Sequence, residues 1–329
     1  RQLFDQAKDK ELSCWLDTGT VQRILRNQLN PEQIMRSRWI LTWKDDPDAP
    51  DGRKAKARLV VLGFTDPQLE TLERDSPTLT RDGRMIVLQT VASRRWRLQS
   101  FDIKTAFLRG KEDQPRCLGM EPPPELRKKL GLTDEEVCQL AGNAYGRVDA
   151  PLIFFRKLVH EMKKVNLYQN PLDPCVFVCK RSETSDVIEG VVGVHVDDGV
   201  GGGNEFFNRC IDKLQKVLPF GSHKFDSFVF TGIHLRQESD FSIRMSQTEY
   251  VERIPEICLS KERRLEATQS VTEPERLALR SLIGGLQYAA TCTRPDIAAR
   301  VGWLQSQINK ATVNTLREAN SFLKAVSYT

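Results

Sequence analysis

Two adjacent carboxylates are the first candidates for chemistry. Val194-His195-Val196 closes an apolar run and leads into Asp197-Asp198-Gly199, a turn signal. Like charges repel, so a carboxylate pair on a turn is costly unless a cation compensates it. Hard oxygen donors suit Mg²⁺. Asp-Asp-Gly alone is an ordinary turn, but a third carboxylate, Asp102, lies near the end of another strand-like stretch, Arg97 to Ile103. If these strands are neighbours in one sheet, three carboxylates converge. Two cations roughly 3.5–4 Å apart could bridge such a cluster, one activating a 3′-hydroxyl and one steadying a leaving pyrophosphate. Phosphoryl transfer needs this positioning and charge neutralisation more than covalent catalysis.

The elements that would carry these residues follow from periodicity. Arg38 to Trp43 and Ala57 to Leu62 read as strands joined by the polar loop Asp45 to Gly52, a hairpin with basic residues on its return arm. A helix is expected over Arg81 to Ser93, with Thr78 or Thr80 as its cap. Residues 111–136 are charged and proline-rich, and Pro122-Pro123-Pro124 is expected to block regular structure. Helices are expected over Pro151 to Lys164 and Phe206 to Val217. Strands are expected over Cys175 to Lys180 and Val187 to Val196, paired through a turn at Arg181 to Asp186. Gly201-Gly202-Gly203 lacks the Lys and Ser/Thr of a phosphate loop and reads as a flexible connection. A strand pair at Ser227–Leu235 and Ser242–Met245 precedes a helical last third, opened by the capping box Thr272-Glu273-Pro274-Glu275. The order fits an α+β class with a split β-α-β sheet and a helical appendage.

Composition sets the bounds. The 329 residues carry 49 Lys and Arg against 44 Asp and Glu, a net charge of +5 that permits nucleic-acid binding without demanding it. Basic residues cluster at Arg53, Lys54, Lys56 and Arg58, and at Arg94, Arg95 and Arg97, where a solvated face is the bland alternative. No apolar stretch is long enough to span a membrane. The eight cysteines are scattered singly without zinc spacing, and Cys175 and Cys179 are expected to pack as small hydrophobes in a reduced, intracellular protein. Asp17-Thr18-Gly19 matches three letters of an aspartic-protease motif but lacks flanking apolar strands and reads as a turn.

Several segments together carry a resemblance. Asp102-Ile-Lys-Thr-Ala-Phe-Leu-Arg-Gly110 resembles the first catalytic motif of Ty1/copia-type retrotransposon reverse transcriptases, and His195-Val-Asp-Asp198 resembles their Tyr-Val-Asp-Asp box. Lys56-Ala-Arg-Leu-Val60 with Gly63-Phe64 is similar to the fingers strand. Ala144-Tyr145-Gly146 with Ala150-Pro151 is similar to the third polymerase motif, Phe230-Thr-Gly-Ile233 to the primer grip, and Thr293-Arg-Pro-Asp-Ile297 to a signature near the domain's end. The resemblance implies a right-hand polymerase fold with fingers, split β-α-β palm and helical thumb or connection. It divides the chain into an N-terminal segment with fingers (1–85), palm (86–140), fingers/palm helix segment (141–170), palm with both hairpins (171–245) and helical thumb/connection (246–329), with any RNase H domain expected further on. It implies RNA- and DNA-directed DNA synthesis from dNTPs on an RNA template and DNA primer, within an element's integration pathway, using two Mg²⁺ or Mn²⁺ ions.

By the same resemblance Asp102, Asp197 and Asp198 would be metal ligands, and Lys56 and Arg58 would grip the triphosphate. Phe107 would be the steric gate against a ribose 2′-hydroxyl, Tyr145 and Gly146 would complete the nucleotide site, and Phe230 and Gly232 would belong to the primer grip. Arg58 as an exposed strand residue and Phe107 as a core aromatic are the plainer alternatives. Three positions depart from the pattern: His195 replaces Tyr, Asp149 replaces Gln, and Leu152 to Phe154 lacks the usual Trp. Asp149 could cap the helix at Pro151, the favoured reading, or pair with Arg147. A decayed or host-adopted nucleic-acid-binding module is the alternative function.

Overall fold

The computed structural model describes residues 2–46, 49, 51–110 and 116–327. Parts of the Asp45 to Gly52 loop, the start of the 111–136 segment and the last two residues fall outside these. The chain packs as two units, one of residues 1–87 with 101–223, the other of residues 88–100 with 224–329.

The first unit opens with helix α1 (Gln2–Asp17), which buries Leu12 and Trp15. The expected hairpin follows as β1 (Ser37–Asp45) and β2 (Arg53–Val61), antiparallel with Trp39 opposite Leu59 and Ile40 opposite Arg58. Helix α2 spans Arg81–Ser93, and Thr80 is its cap: the Gly83 amide donates to Thr80 Oγ1 at 2.8 Å. Strand β3 (Gln99–Ile103) carries Asp102, and the short helix α3 (Ala106–Arg109) carries Phe107.

The triple proline does not exclude regular structure. Helix α4 (Pro124–Leu130) starts on its last member, because the first helical position loses nothing by lacking an amide hydrogen. The adjoining segments form a small four-stranded sheet from Val21–Leu25, Glu136–Leu140, Gly119–Met120 and Ile34–Met35, in that spatial order.

Helix α5 (Ala150–Lys164) buries Phe154, Leu158 and Met162, the four-residue stripe expected of it. The strands that follow are β4 (Leu167–Gln169), β5 (Val176–Cys179), β6 (Gly190–His195) and β7 (Asp198–Gly203), each antiparallel to the one before it. Helix α6 (Glu205–Val217) is capped by Asn204, whose side chain accepts from the Phe206 and Phe207 amides. Strand β8 (Phe220–Phe225) completes a six-stranded sheet in the order β8-β3-β7-β6-β5-β4. Its core gathers Phe101, Ile103, Phe154, Phe177, Val192, Phe207 and Leu214, with Cys175 and Cys179 both buried.

The glycine run is not a flexible connection. Gly201, Gly202 and Gly203 lie in β7, paired with Val192, Val191 and Gly190 of β6. A Cβ on Gly201 would stand 2.1 Å from the Val191 carbonyl oxygen, and one on Gly203 would stand 2.4 Å from the Phe207 side chain. Glycine is therefore required by close packing in a regular strand.

In the second unit, the stretch expected as one strand from Ser227 to Leu235 is two. Strands β9 (Ser227–Phe230) and β10 (Ile233–Gln237) meet at a tight turn where Thr231 and Gly232 both have positive φ, 47° and 76°. Strand β11 (Ile243–Ser246) adds to β10. Residues 88–100 are fastened to this hairpin. The Gln237 side chain donates to the Trp96 carbonyl and accepts from the Leu98 amide, at 2.9 and 2.8 Å, and the Asp226 amide donates to the Leu98 carbonyl. Helices α7 (Glu273–Cys292), α8 (Ala298–Gln307) and α9 (Val313–Ser327) then build a core from Leu279, Ile283, Leu286, Val301, Leu304, Leu316 and Leu323. The Thr272–Glu275 capping box at the start of α7 is present as expected.

Candidate nucleotidyl-transfer site

Strand β3 pairs beside β7, so Asp102 stands next to the β6–β7 turn that carries the carboxylate pair. His195 is opposite Asp198 in register, and Val196 and Asp197 form the turn. The Ile103 amide donates to the Asp197 carbonyl at 2.9 Å, tying the two strand ends together. Val196 has φ 62°, a left-handed conformation that a β-branched residue rarely adopts and that marks a strained turn.

Asp102, Asp197 and Asp198 line one cavity of about 530 Å³. Burial pushes the Asp197 carboxyl above its ordinary value, the Asp102 charge adds to this, and Arg58 and Lys56 oppose it. Burial, then the Asp197 and Asp102 charges, raise Asp198 to about 6. Mutually repelling, partly desolvated carboxylates are a donor set that suits a hard divalent cation. Among the described residues, however, no group of three or more His, Cys, Asp or Glu side chains stands at metal-holding spacing. His195 is held below its usual value by burial first and then by Arg84, which favours the neutral ring near pH 7.

The remaining candidates of this unit sit together. Lys56 and Arg58 of β2 line the same cavity as the three aspartates, joined by Lys10, Lys44, Lys54 and Lys104. Burial lowers the Lys56 ammonium, and the Arg58 and Lys44 charges lower it further, a sign of crowded cations. The Arg58 guanidinium lies 5.7 Å from the Tyr145 ring centroid, which is cation–π range, and Tyr145 lines the cavity. Behind Tyr145, Phe107 packs edge-on at 5.7 Å and contacts Phe154 in turn. Phe107 is thus half-buried against the aromatic that lines the cavity and does not line the cavity itself.

Gly146 is dictated by geometry. Its φ is +91°, and a Cβ there would stand 2.1 Å from the Val61 carbonyl oxygen of β2. The Val61 amide donates to the Tyr145 carbonyl at 2.8 Å, so the Tyr145-Gly146 loop is sewn to the strand that carries Arg58.

Phe230 and Gly232 belong to the second unit. Phe230 is buried, and the Thr231 carbonyl between them accepts from the Tyr288 hydroxyl of α7.

Asp149 does not cap α5; its side chain makes no cap hydrogen bond. It pairs with arginines. Oδ1 accepts from Arg147 Nε at 3.0 Å, and Oδ2 accepts from Arg147 Nη2 and Arg116 Nη2, both at 2.8 Å. Arg116 also reaches both carboxylate oxygens of Asp66. A helix N-terminus offers about half a charge, and two full guanidinium charges, Arg147 buried and Arg116 half-buried, outcompete it.

The cavity wall formed by α1 was not anticipated from sequence. Ala7, Glu11 and Cys14 line it. Their spacing of four and three residues was the available signal, since it places them on one helical stripe.

A carboxylate trio at the ends of neighbouring strands of a sheet, facing a basic strand across one cavity within a mixed helix-and-sheet unit, fits an α+β polymerase fold. Residues 21–265 match the family described as Reverse transcriptase (RNA-dependent DNA polymerase), and the chain belongs to that family, in its copia-type branch. It is 28% identical over 293 residues to a retrovirus-related Pol polyprotein from transposon TNT 1-94 of Nicotiana tabacum, covering 82% of this chain and 21% of that protein. It is 23% identical over 237 residues to a putative transposon Ty5-1 protein of Saccharomyces cerevisiae, covering 68% and 74%. Among solved structures, a foamy viral protease–reverse transcriptase in complex with double-stranded DNA aligns with 98% of this chain and 48% of its own, at a TM-score of 0.51 and 12% identity. That likeness establishes the shared α+β fold. The chain thus spans about a fifth of the tobacco polyprotein and about half of the foamy viral chain. No helix among the described residues is long and apolar enough to cross a membrane.

Proposed function

We propose that this chain extends a DNA primer on an RNA or DNA template from dNTPs. The observation that carries the reading is the single cavity in which Asp102, Asp197 and Asp198 face Lys56 and Arg58. Asp102, Asp197 and Asp198 would hold Mg²⁺ or Mn²⁺, which when bound would activate the primer 3′-hydroxyl and steady the leaving pyrophosphate. Arg58 and Lys56 bind the triphosphate as fixed positive charge, with Arg58 kept in place by the Tyr145 ring. Phe107, packed on Tyr145, limits the room beside the sugar and so disfavours a 2′-hydroxyl. Phe230 and Gly232 present the hairpin turn against which a primer strand would rest. Template and primer bind chiefly through phosphate, so affinity falls with salt.

A second reading, a nucleic-acid-binding module without catalysis, draws on one observation: no three candidate ligands among the described residues stand at metal-holding spacing. Primer extension on poly(rA)–oligo(dT) with Mg²⁺ separates the two. Extension that is lost in Asp197→Asn supports polymerisation. Tight, salt-sensitive template–primer binding without extension favours the binding module.

A further inference from the structure

Strand β2 carries Lys56 and Arg58 and is paired with β1 along one edge only. On its other edge, two amides are taken by groups from outside the hairpin. The Val61 amide goes to the Tyr145 carbonyl. The Leu59 amide goes to Glu11 Oε1, at 3.3 Å, from helix α1. The same oxygen accepts from the Trp15 indole nitrogen at 3.2 Å, and Trp15 is fully buried. Glu11 is therefore held from behind by a fully buried ring and reaches forward to the backbone of the residue next to Arg58. It also lines the cavity with Arg58 and the aspartates.

Resting on the polymerase reading above, we infer that Glu11 is a positioning residue for the triphosphate grip: through Leu59 it sets the height at which Arg58 stands in the cavity. A two-stranded hairpin is soft on its own, since such ribbons are barely stable in isolation. Leu59 and Val61 pack into a core with Leu12 and Trp15 of α1, which holds β2 in place, and the hydrogen bonds on its free edge fix the height of its backbone and of Arg58 with it. Tyr145 anchors Val61 and stacks on Arg58. Glu11 anchors Leu59, one residue from Arg58 on the side nearer Val61, so the two anchors act on consecutive outward amides.

Glu11 carries a negative charge among cations that an incoming triphosphate needs, so its charge opposes that ligand. Burial pushes its carboxyl up, and the Trp15 and Leu59 bonds and the Arg58 and Lys56 charges pull it back. The part that assists the grip is the reach of one acceptor oxygen. Both bonds fall on Oε1, so an amide of the same length can replace the carboxylate.

The test compares Glu11→Gln, which keeps the acceptor and the reach, with Glu11→Asp, which keeps the charge and loses the reach. Steady-state dTTP incorporation is measured on poly(rA)–oligo(dT), with Arg58→Ala and the Glu11→Asp/Arg58→Ala pair alongside. Glu11→Asp should raise the KM for dTTP about tenfold with kcat altered less than about threefold, since ångström-scale misplacement of a binding group costs up to about 100-fold. Glu11→Gln should stay within about twofold of wild type or bind dTTP more tightly. In the Arg58→Ala background, Glu11→Asp should add no further rise, because it acts through Arg58. The inference is overturned if Glu11→Asp leaves KM unchanged, if Glu11→Gln is impaired as much as Glu11→Asp, or if the two losses multiply. A wild-type KM in Arg58→Ala alone would instead sink the triphosphate grip, and absence of extension by the unaltered chain would sink the polymerase reading together with this inference.

Discussion

Asp149 offers the sharpest quantitative test of how the loop after Tyr145-Gly146 is held. It joins Arg147, Arg116 and, through Arg116, Asp66 in a cluster of two cations and two anions. The Asp149 and Arg147 side chains are 4% and 2% exposed, so solvent cannot replace a lost partner. Asp149→Ala strips Arg147 of both bonds to this carboxylate and leaves the buried cluster one charge out of balance. Breaking a buried pair from one side costs about 3–5 kcal/mol. Asp149→Asn keeps one acceptor but turns an amide donor toward a guanidinium donor, so it should cost about 1.5–3 kcal/mol, the worth of a hydrogen bond to a charged group. A helix cap would behave differently, with about 0.5–2 kcal/mol lost for alanine and almost nothing for asparagine.

Urea unfolding of the three proteins, followed by tryptophan fluorescence and far-UV circular dichroism, reads these differences as midpoints. The pH dependence adds a second axis. Burial alone would raise the Asp149 carboxyl, but the Arg147 bonds and the Arg147 and Arg116 charges outweigh it and hold the group below its ordinary value. A depressed carboxylate stabilises the fold above its unfolded pKa of about 3.9 and loses that contribution as pH falls through the lower folded value. The gap between wild type and Asp149→Ala should therefore be flat from pH 7 to about 5 and close in stronger acid. An asparagine variant that unfolds at the wild-type midpoint would refute the ion-cluster account.

Asp197→Asn should cut primer extension by at least ~100-fold, because groups that merely orient metal ligands already account for 10–100-fold. Template–primer affinity, read by fluorescence anisotropy, should not change; extension near the wild-type rate would dismiss the site. Phe107→Ala should raise the ratio of ribonucleotide to deoxynucleotide kcat/KM by about 10–200-fold, the range that pocket shape commands. An unchanged ratio would leave Phe107 as a core aromatic behind Tyr145. Gly146→Ala forces a left-handed backbone on alanine and drives its Cβ into the Val61 carbonyl, so unfolding should occur at least about 1–3 kcal/mol earlier. A midpoint equal to wild type would show that the loop moves freely away from β2.

The parts legible from sequence were those where local pattern and tertiary demand agree. Helix α2 begins and ends where its spacing and Thr80 predict. The β6–β7 hairpin lies where an apolar run meets a turn signal. The misreadings have separate physical origins. Gly201 and Gly203 look flexible in isolation, but Val191 and Phe207 require their bareness. Pro124 looks like a barrier, yet a helix accepts proline at its start. Asp149 has the spacing of a cap, but Arg147 two residues before it takes both carboxylate oxygens and Arg116 arrives from 33 residues away to share one of them. Helix α1 gave a weak signal because just two of its sixteen residues are buried.

The way residues 88–100 are held has a consequence for biosynthesis. Their hydrogen bonds to Gln237 span 141 and 139 residues. The second unit joins residues 88–100 to residues 224–329, so it cannot close until the chain beyond residue 223 has been made. Trp96 and Leu98 are made before β6 and β7 but find Gln237 only once the β9–β10 hairpin has been made. Such long-range closure is intrinsically slow, and until it happens Leu98, fully buried in the finished fold, is without its cover.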